Sequence, residues 1–231
     1  MSRTDTSKDY PPHPDQDPCP SQVCSPLTLV YADQAARLYS EVFLSDEPTT
    51  CRHAPSFKQF LPYAEMYTRF LIKKGLSFIV TDRKTGMLIG FIFCVDLTDG
   101  PEQEGGIMIE FLSHFKEAIE MIHELEERYF DQESILPGSI IHVYQIGVRR
   151  QFRRMGIAQG MILQVISHAR EKGYSQIVAD CTSQTSKLVF ERCGFHEVDY
   201  YSYRDFCTNG IRFFEGLDRG IALMVKDLEY P

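Results

Sequence analysis

Between residues 149 and 158 the chain reads Arg149-Arg150-Gln151-Phe152-Arg153-Arg154-Met155-Gly156-Ile157-Ala158, four arginines and a glycine just ahead of a helical apolar pattern. A helix starting near Ile157 would place unpaired main-chain N–H groups and the positive end of its dipole here, which is chemistry suited to a diphosphate. Gly156 would let the backbone approach phosphate oxygens, Ala158 would keep the first turn narrow, and the arginines would add charge-assisted hydrogen bonds. The spacing Arg153-x-x-Gly156-x-Ala158 gains specificity from its setting: a strand before it, a helix after it, then a further strand and helix ending at Gly194-Phe195. Gly-Lys-Ser/Thr and G-x-G-x-x-G are both absent, which excludes a P-loop and a dinucleotide fold.

The elements that must position this loop follow from periodicity. Leu27 to Tyr31 predicts a short strand, and Ala36, Leu38, Tyr39, Val42 and Phe43 a helix. Ser56 is a good cap for a second helix to Lys74, which Pro62 should kink or split and Gly75 should end. Leu76 to Thr81 and Met87 to Leu97 predict an antiparallel pair around a turn at Asp82 to Gly86. Met108, Leu112, Phe115, Ile119, Ile122, Leu125 and Tyr129 predict one amphipathic helix with Glu110, Glu117, Glu124 and Glu127 facing away. The second half reads as strand Ile140–Val148, helix Gly156–Lys172, parallel strand Gln176–Cys181, helix Ser183–Arg192, and strands Phe195–Tyr203 and Ile221–Lys226. The fold class is therefore α/β with a mixed sheet.

The chain has 231 residues, 43% of them hydrophobic, enough for one substantial core. Residues 1–26 hold six of the twelve prolines and few large apolar side chains, so they predict a disordered tail, with one domain over 27–231. No run is long and apolar enough for a bilayer, and Met-Ser-Arg-Thr-Asp lacks the apolar centre of a secretion signal; a cytoplasmic protein without a membrane partner is expected. Seven cysteines without ligand-like spacing suit reduced thiols, and no metal site is expected. The net charge of −8 argues against nucleic acid as a partner. Residues 102–133 carry ten acids against Lys116 and Arg128, so one segment holds the whole imbalance. It reads either as a solvated helix face or as an acidic rim attractive to a cation.

His142 and Tyr144 lie two apart on a strand and so share a face; His142 is either a hydrogen-bonded structural residue or part of a proton relay. Cys181 and Cys193 sit in apolar settings that disfavour a covalent acyl-cysteine route.

The loop Arg153 to Ala158, together with Leu188-Val189-Phe190-Glu191-Arg192-Cys193-Gly194-Phe195, resembles the GNAT superfamily of N-acetyltransferases from about Leu27 to Glu229. Asp46-Glu47-Pro48, Thr182-x-x-x-Ser186 and the tail Ile221 to Leu228 are similar to the insect-type arylalkylamine N-acetyltransferases. The resemblance implies a single domain with splayed central parallel strands flanked by helices, and acetyl transfer from acetyl-CoA to a small arylalkyl or alkyl amine by direct attack in a ternary complex. It implies cofactor contacts at Ile146, Gly147, Val148, Arg153, Arg154, Met155, Gly156, Ile157, Ala158, Ser186 and Phe190. It also implies Glu47 as general base with Thr182 and Ser186 assisting. One departure stands out. Phe190 occupies the place of a tyrosine that many members use to protonate the leaving thiolate, so Ser186 becomes the first candidate acid. The alternatives are a protein lysine or N-terminal acetyltransferase, and a non-catalytic acyl-CoA-binding domain.

Overall fold

The computed structural model describes residues 22–100 and 105–229. Seven strands form one mixed sheet: β1 (Gln22–Pro26), β2 (Phe78–Asp82), β3 (Leu88–Asp96), β4 (Ile140–Val148), β5 (Gln176–Cys181), β6 (His196–Ser202) and β7 (Gly220–Asp227). Their spatial order is β1-β2-β3-β4-β5-β7-β6, antiparallel throughout except for the parallel pair β4–β5. The helices are α1 (Ala32–Asp46), α2 (Pro48–His53), α3 (Phe57–Lys74), α4 (Gly106–Ser113), α5 (Lys116–Glu127), α6 (Ile157–Lys172) and α7 (Gln184–Arg192).

Several expectations are corrected. The first strand is not Leu27–Tyr31: the ordered edge begins earlier, inside the expected tail, and Leu29–Tyr31 is a turn of 3-10 helix. The Cys24 and Pro26 positions pair with Val80 and Phe78, and proline is tolerable because the strand is at the sheet's rim. The rest of the expected tail, residues 1–21, lies outside the described residues. Pro62 neither splits nor ends α3; the carbonyl it leaves without a donor belongs to exposed Lys58, which water can serve. Ser56 and Gln59 close a reciprocal capping box, and Gly75 ends the helix in the left-handed region at φ 69°.

The expected single acidic helix is two. Ser113 Oγ donates to the Glu110 carbonyl at 2.6 Å, and His114 Nδ1 lies 3.0 Å from the same oxygen, so side chains take over the turn where α4 stops. The buried stripe of α5 is Ala118, Met121, Leu125 and Glu126, while Ile119 is 41% exposed. One member of the acidic segment, Glu126, thus points inward.

Helices cover both faces. Ile157, Met161 and Val165 of α6 pack on Ile92, Ile141 and Val143. On the other face α1 and α3 set Tyr39, Phe60, Tyr63 and Tyr67 against Phe91 and Phe93. Phe60, Tyr63 and Tyr67 are buried; Phe57 is exposed.

Two irregularities in β4 prepare the site. The register with β3 slips so that Phe93 faces Gln145 and Cys94 faces Val143, leaving Tyr144 as an extra residue. Ile141 and Val143 before the bulge, and Ile146 and Val148 after it, pack on the α6 side. Tyr144 and Gln145 consequently both fall on the α1–α3 side, where Tyr67 Oη donates to Gln145 Oε1 at 2.8 Å. The second irregularity is a splay: β4 and β5 are paired only from Ile140–Gln176 to Val143–Ala179. Beyond that rung β4 has β3 alone.

At Gly147 the reason for glycine is packing. A Cβ there would lie 2.4 Å from the Phe91 ring and 3.1 Å from Val42. Because Phe91 is fully buried, Gly147→Ala should cost about 1–3 kcal/mol by overpacking, measured by urea unfolding. Unchanged stability would show that the ring moves freely.

Candidate active site

The loop into α6 is built around main-chain groups. Gly156 is the N-cap of α6 at φ 75°, no side chain caps the helix, and nothing lies within 4 Å of the point where a Cβ would be. With no side-chain cap, the first-turn amides of α6 are left for water or an anion. On the adjoining strand, the Arg149 N–H donates to the Ile89 carbonyl across β3 at 2.8 Å. Alternation then turns the main-chain groups of Ile146 and Val148 to the opposite edge, into the splay. The edge of β4 and the open end of α6 form one continuous line of backbone donors and acceptors.

The arginines do something other than expected. Arg149 pairs with Glu41 at 3.1 Å, Arg150 with Asp46 at 2.8 Å, and Arg153 with Asp46 while its Nε donates to the Val148 carbonyl at 3.0 Å. Three of the four thus pin the loop to the C-terminal half of α1. Arg154 is exposed in the left-handed region at φ 62°, and Met155 is exposed beside it. Burial acts to raise the Asp46 pKa, but the hydrogen bonds and charges of Arg153 and Arg150 outweigh it and hold the carboxyl below its usual range. Ile157 is buried in the core and Ala158 packs partly against it.

Asp46-Glu47-Pro48 therefore has a local explanation for each residue. Asp46 clamps the loop, and Pro48 occupies the first position of α2, where a missing N–H costs nothing. Glu47 caps α2: Oε1 accepts from the Thr49 N–H at 3.0 Å, and Oε2 from the Thr50 N–H at 2.6 Å and Thr49 Oγ1 at 2.8 Å. The cap fixes the carboxylate's direction and leaves a lone pair on Oε1. Helix α2 itself escaped periodicity because it is six residues long.

Glu47 lies near a wall of buried tyrosines. Burial first, and then neighbouring charge that includes Glu47, pushes the Tyr39 and Tyr203 hydroxyls well above their ordinary range. Tyr203 Oη donates to the Thr182 carbonyl at 2.8 Å, so Thr182 meets this wall through its backbone. Tyr203, on the loop after β6, carried no sequence signal beyond being aromatic. Ser186 Oγ donates to the Ser183 carbonyl at 2.8 Å, and Ser183 Oγ accepts the Ser186 N–H at 3.2 Å. The Ser186 hydroxyl is thus engaged in capping α7. Phe190, expected against the cofactor, is 2% exposed and packs edge-on to Phe195 at 4.9 Å. Its ring is core because it lies on the inner face of α7. Burial pushes the Cys181 thiol up, and the Cys193 thiol to about 11, which makes both poor nucleophiles.

His142 lies deeper than a strand position alone indicates. Nε2 is 2.7 Å from Asp180 Oδ2, Nδ1 is 3.6 Å from Glu126 Oε1, and the ring stacks on Tyr144 at 4.0 Å. Burial opposes its charge, yet Asp180 and then Glu126 prevail and raise its pKa. Glu126 is pushed up to about 8, first by burial and then by the charge of Asp180. Among the described residues these three also form a group whose ligand atoms could converge on a metal, lying within 4.8 Å of one another. Spacing along the chain could not reveal it, since the members come from α5, β4 and β5. Among the described residues no helix is long and apolar enough to cross a membrane.

Residues 37–195 match the Acetyltransferase (GNAT) family, more than half of the chain, and the protein belongs to that family. It is accordingly an acetyltransferase by fold and family. Solved structures agree on the fold. The C-terminal condensation domain of Ebony, in complex with β-alanyl-dopamine, superposes with a TM-score of 0.75 at 19% identity, covering 89% of this chain and 98% of that one. Arylalkylamine N-acetyltransferase 2 from Aedes aegypti gives 0.73 at 18% identity over 90% and 99%. An agmatine N-acetyltransferase gives 0.67 at 18% over 90% and 100%.

The buried cluster predicts a pH dependence. Glu126 and His142 both have folded-state pKa values above their ordinary ones, so the folded state binds more protons, and their contribution is lost as pH rises. For Glu126 the loss runs from its ordinary 4.5 up through about 8. Tm should therefore fall between pH 6 and 9, and less steeply in Glu126→Gln; parallel curves by calorimetry would remove Glu126 as a cause.

Proposed function

We propose that this protein transfers the acetyl group of acetyl-CoA to a small arylalkyl or alkyl amine by direct attack in a ternary complex. The observation that supports it most is the line of main-chain groups without a strand partner running from Ile146 and the Val148 N–H to the uncapped N-terminus of α6 at Gly156, with the Val148 carbonyl taken by Arg153. Pantetheine amides suit the first part and a diphosphate the second. With Arg149, Arg150 and Arg153 committed to α1, the anion is held mainly by backbone N–H groups, with Arg154 exposed beside them. A main-chain N–H on the open edge of β4 would also polarise the thioester carbonyl.

The acceptor side is the face with Glu47, Tyr39, Tyr63, Tyr67 and Tyr203. Its aromatic, hydroxyl-rich wall supports an amine with an apolar or aromatic body, in keeping with the arylalkylamine and agmatine acceptors of the structural relatives. An alkylamine with a pKa near ~10.4 costs about 4–5 kcal/mol to deprotonate at neutral pH. Glu47, directly or through a water, accepts that proton and passes it to solvent; the free amine attacks the carbonyl carbon and the C–N bond forms, the nitrogen gives up its second proton by the same route, and the C–S electron pair leaves with sulfur, which takes up a proton as the thiol of CoA.

Two variants test this. Gly156→Glu places bulk and negative charge where the anion binds, so acetyl-CoA affinity by calorimetry should collapse while the fold persists; full affinity in a folded variant would move the site elsewhere. Glu47→Gln keeps size but cannot accept a proton. Its kcat/KM at neutral pH should fall by about 10²-fold to 10⁴-fold, with acetyl-CoA affinity retained and the deficit narrowing at high pH. Because Glu47 also caps α2, a Tm loss is expected, equivalent to about 0.5–2 kcal/mol, and activity is compared well below the transition. Full activity from about pH 6 to about pH 9 would exclude Glu47. Lysine peptides turning over as fast as any small amine would favour a protein acceptor, and absence of thiol release with every amine would favour a binding domain.

A further inference from the structure

The reaction outlined above leaves two facts unused. Phe190 has no proton to give a departing thiolate, and it is buried in the core. And three buried titratable groups from three elements meet on the acceptor face of the sheet. His142 is 1% exposed, and His142 Nδ1, Glu126 Oε1 and Asp180 Oδ1 are all buried without a hydrogen-bond partner. Asp180 is the first residue of β5 past the last paired rung, Val143–Ala179, so the cluster sits at the apex of the splay. Facing His142 are Asp180 from β5, Glu126 from α5 and Tyr144 on its own strand; its β3 partner, Val95, is uncharged.

Two carboxylates against one imidazolium leave a negative charge in a dry site, which is costly unless a further proton is held there. One proton brings the group to neutrality and supplies a donor for the orphaned oxygens. We propose that the Glu126–His142–Asp180 cluster is the proton donor of the reaction, standing in for the tyrosine that Phe190 replaces. The inference rests on the acetyl-CoA reading. As the C–S bond breaks and its electron pair goes to sulfur, a proton leaves the cluster by its Asp180 edge, directly or through one water, and forms the S–H bond of CoA. The cluster regains a proton from solvent, and the two protons that the nitrogen sheds by way of Glu47, one before attack and one after the C–N bond forms, go to solvent, so the sum from ammonium and thioester is an amide, a thiol and one proton. Asp180 is the member next to the open strands; His142 and Glu126 are positioning residues that keep the proton there.

The test uses the full-length enzyme, its Asp180→Asn and His142→Gln variants, and thiol release across pH. A thiol of pKa ~8.5 is already a fair leaving group, so the expected loss of kcat at neutral pH is modest, about 10-fold to 10²-fold. In the wild type kcat should fall on the alkaline side as the cluster gives up its proton; in both variants that limb should flatten. Acetyl-CoA affinity by calorimetry and KM for the amine should hold. Wild-type kcat with an unchanged alkaline limb in both variants would overturn the proposal, as would a kcat loss matched by lost acetyl-CoA affinity, the mark of a structural role. A second readout needs neither variants nor turnover: an NMR titration of the His142 imidazole in the wild type should show it protonated at pH 7, and a neutral ring would end the proposal. If the wild type released no thiol with any amine, the acetyl-transfer reading would fail, and this inference with it, even with a protonated ring; activity with a neutral ring would sink the proton donor alone.

Discussion

Everything at this site follows from the parting of β4 and β5 after Val143 and Ala179. Backbone N–H and C=O groups are obligatory hydrogen-bonding groups, and a central strand that loses one neighbour exposes a row of them in the middle of a sheet. Such a gap is tolerable only if water or a ligand fills it. Here the strand runs on through the loop to the uncapped amides of α6. Arg153 bridges β4 and α1 by taking the Val148 carbonyl while its other end holds Asp46.

That bridge ties the cofactor side to the acceptor side. Asp46 ends α1 and grips the loop before α6; the next residue, Glu47, caps α2 and faces the tyrosines. A shift of the loop must therefore be felt one residue from the candidate base. Arg149, Arg150 and Arg153, which look in isolation like ligands for phosphate, serve as the fasteners of this junction.

The β4 bulge and the buried charges form the second half of the design. By inserting Tyr144 the bulge sends two successive side chains to the acceptor face, and Tyr67 holds Gln145 from α3. One rung before the splay, His142 is clasped by Asp180 and approached by Glu126. Burying three ionisable groups together against a sheet is destabilising unless protons are shared among them. The raised pKa values of Glu126 and His142 are the expression of that constraint.

Local regularities carried most of the fold into view from sequence. Alternation located β2 to β7, helical spacing located α1, α3, α6 and α7, and Gly156 marked the turn into α6, because these signals depend on neighbours within a few residues. Elements too short or too dependent on partners stayed hidden: β1 exists because β2 offers it an edge, α2 because Glu47 caps it, and the break between α4 and α5 because side chains intercept one carbonyl. At the site, residue types alone pointed to Glu47 only through resemblance, and placed His142 on a face without its partners. Only the tertiary structure decided that Arg149, Arg150 and Arg153 pair with α1, that Phe190 and Glu126 turn inward, and that Glu126, His142 and Asp180 meet. Charge pairing and burial depend on distances in space between residues far apart in the chain, and periodicity holds no record of those distances.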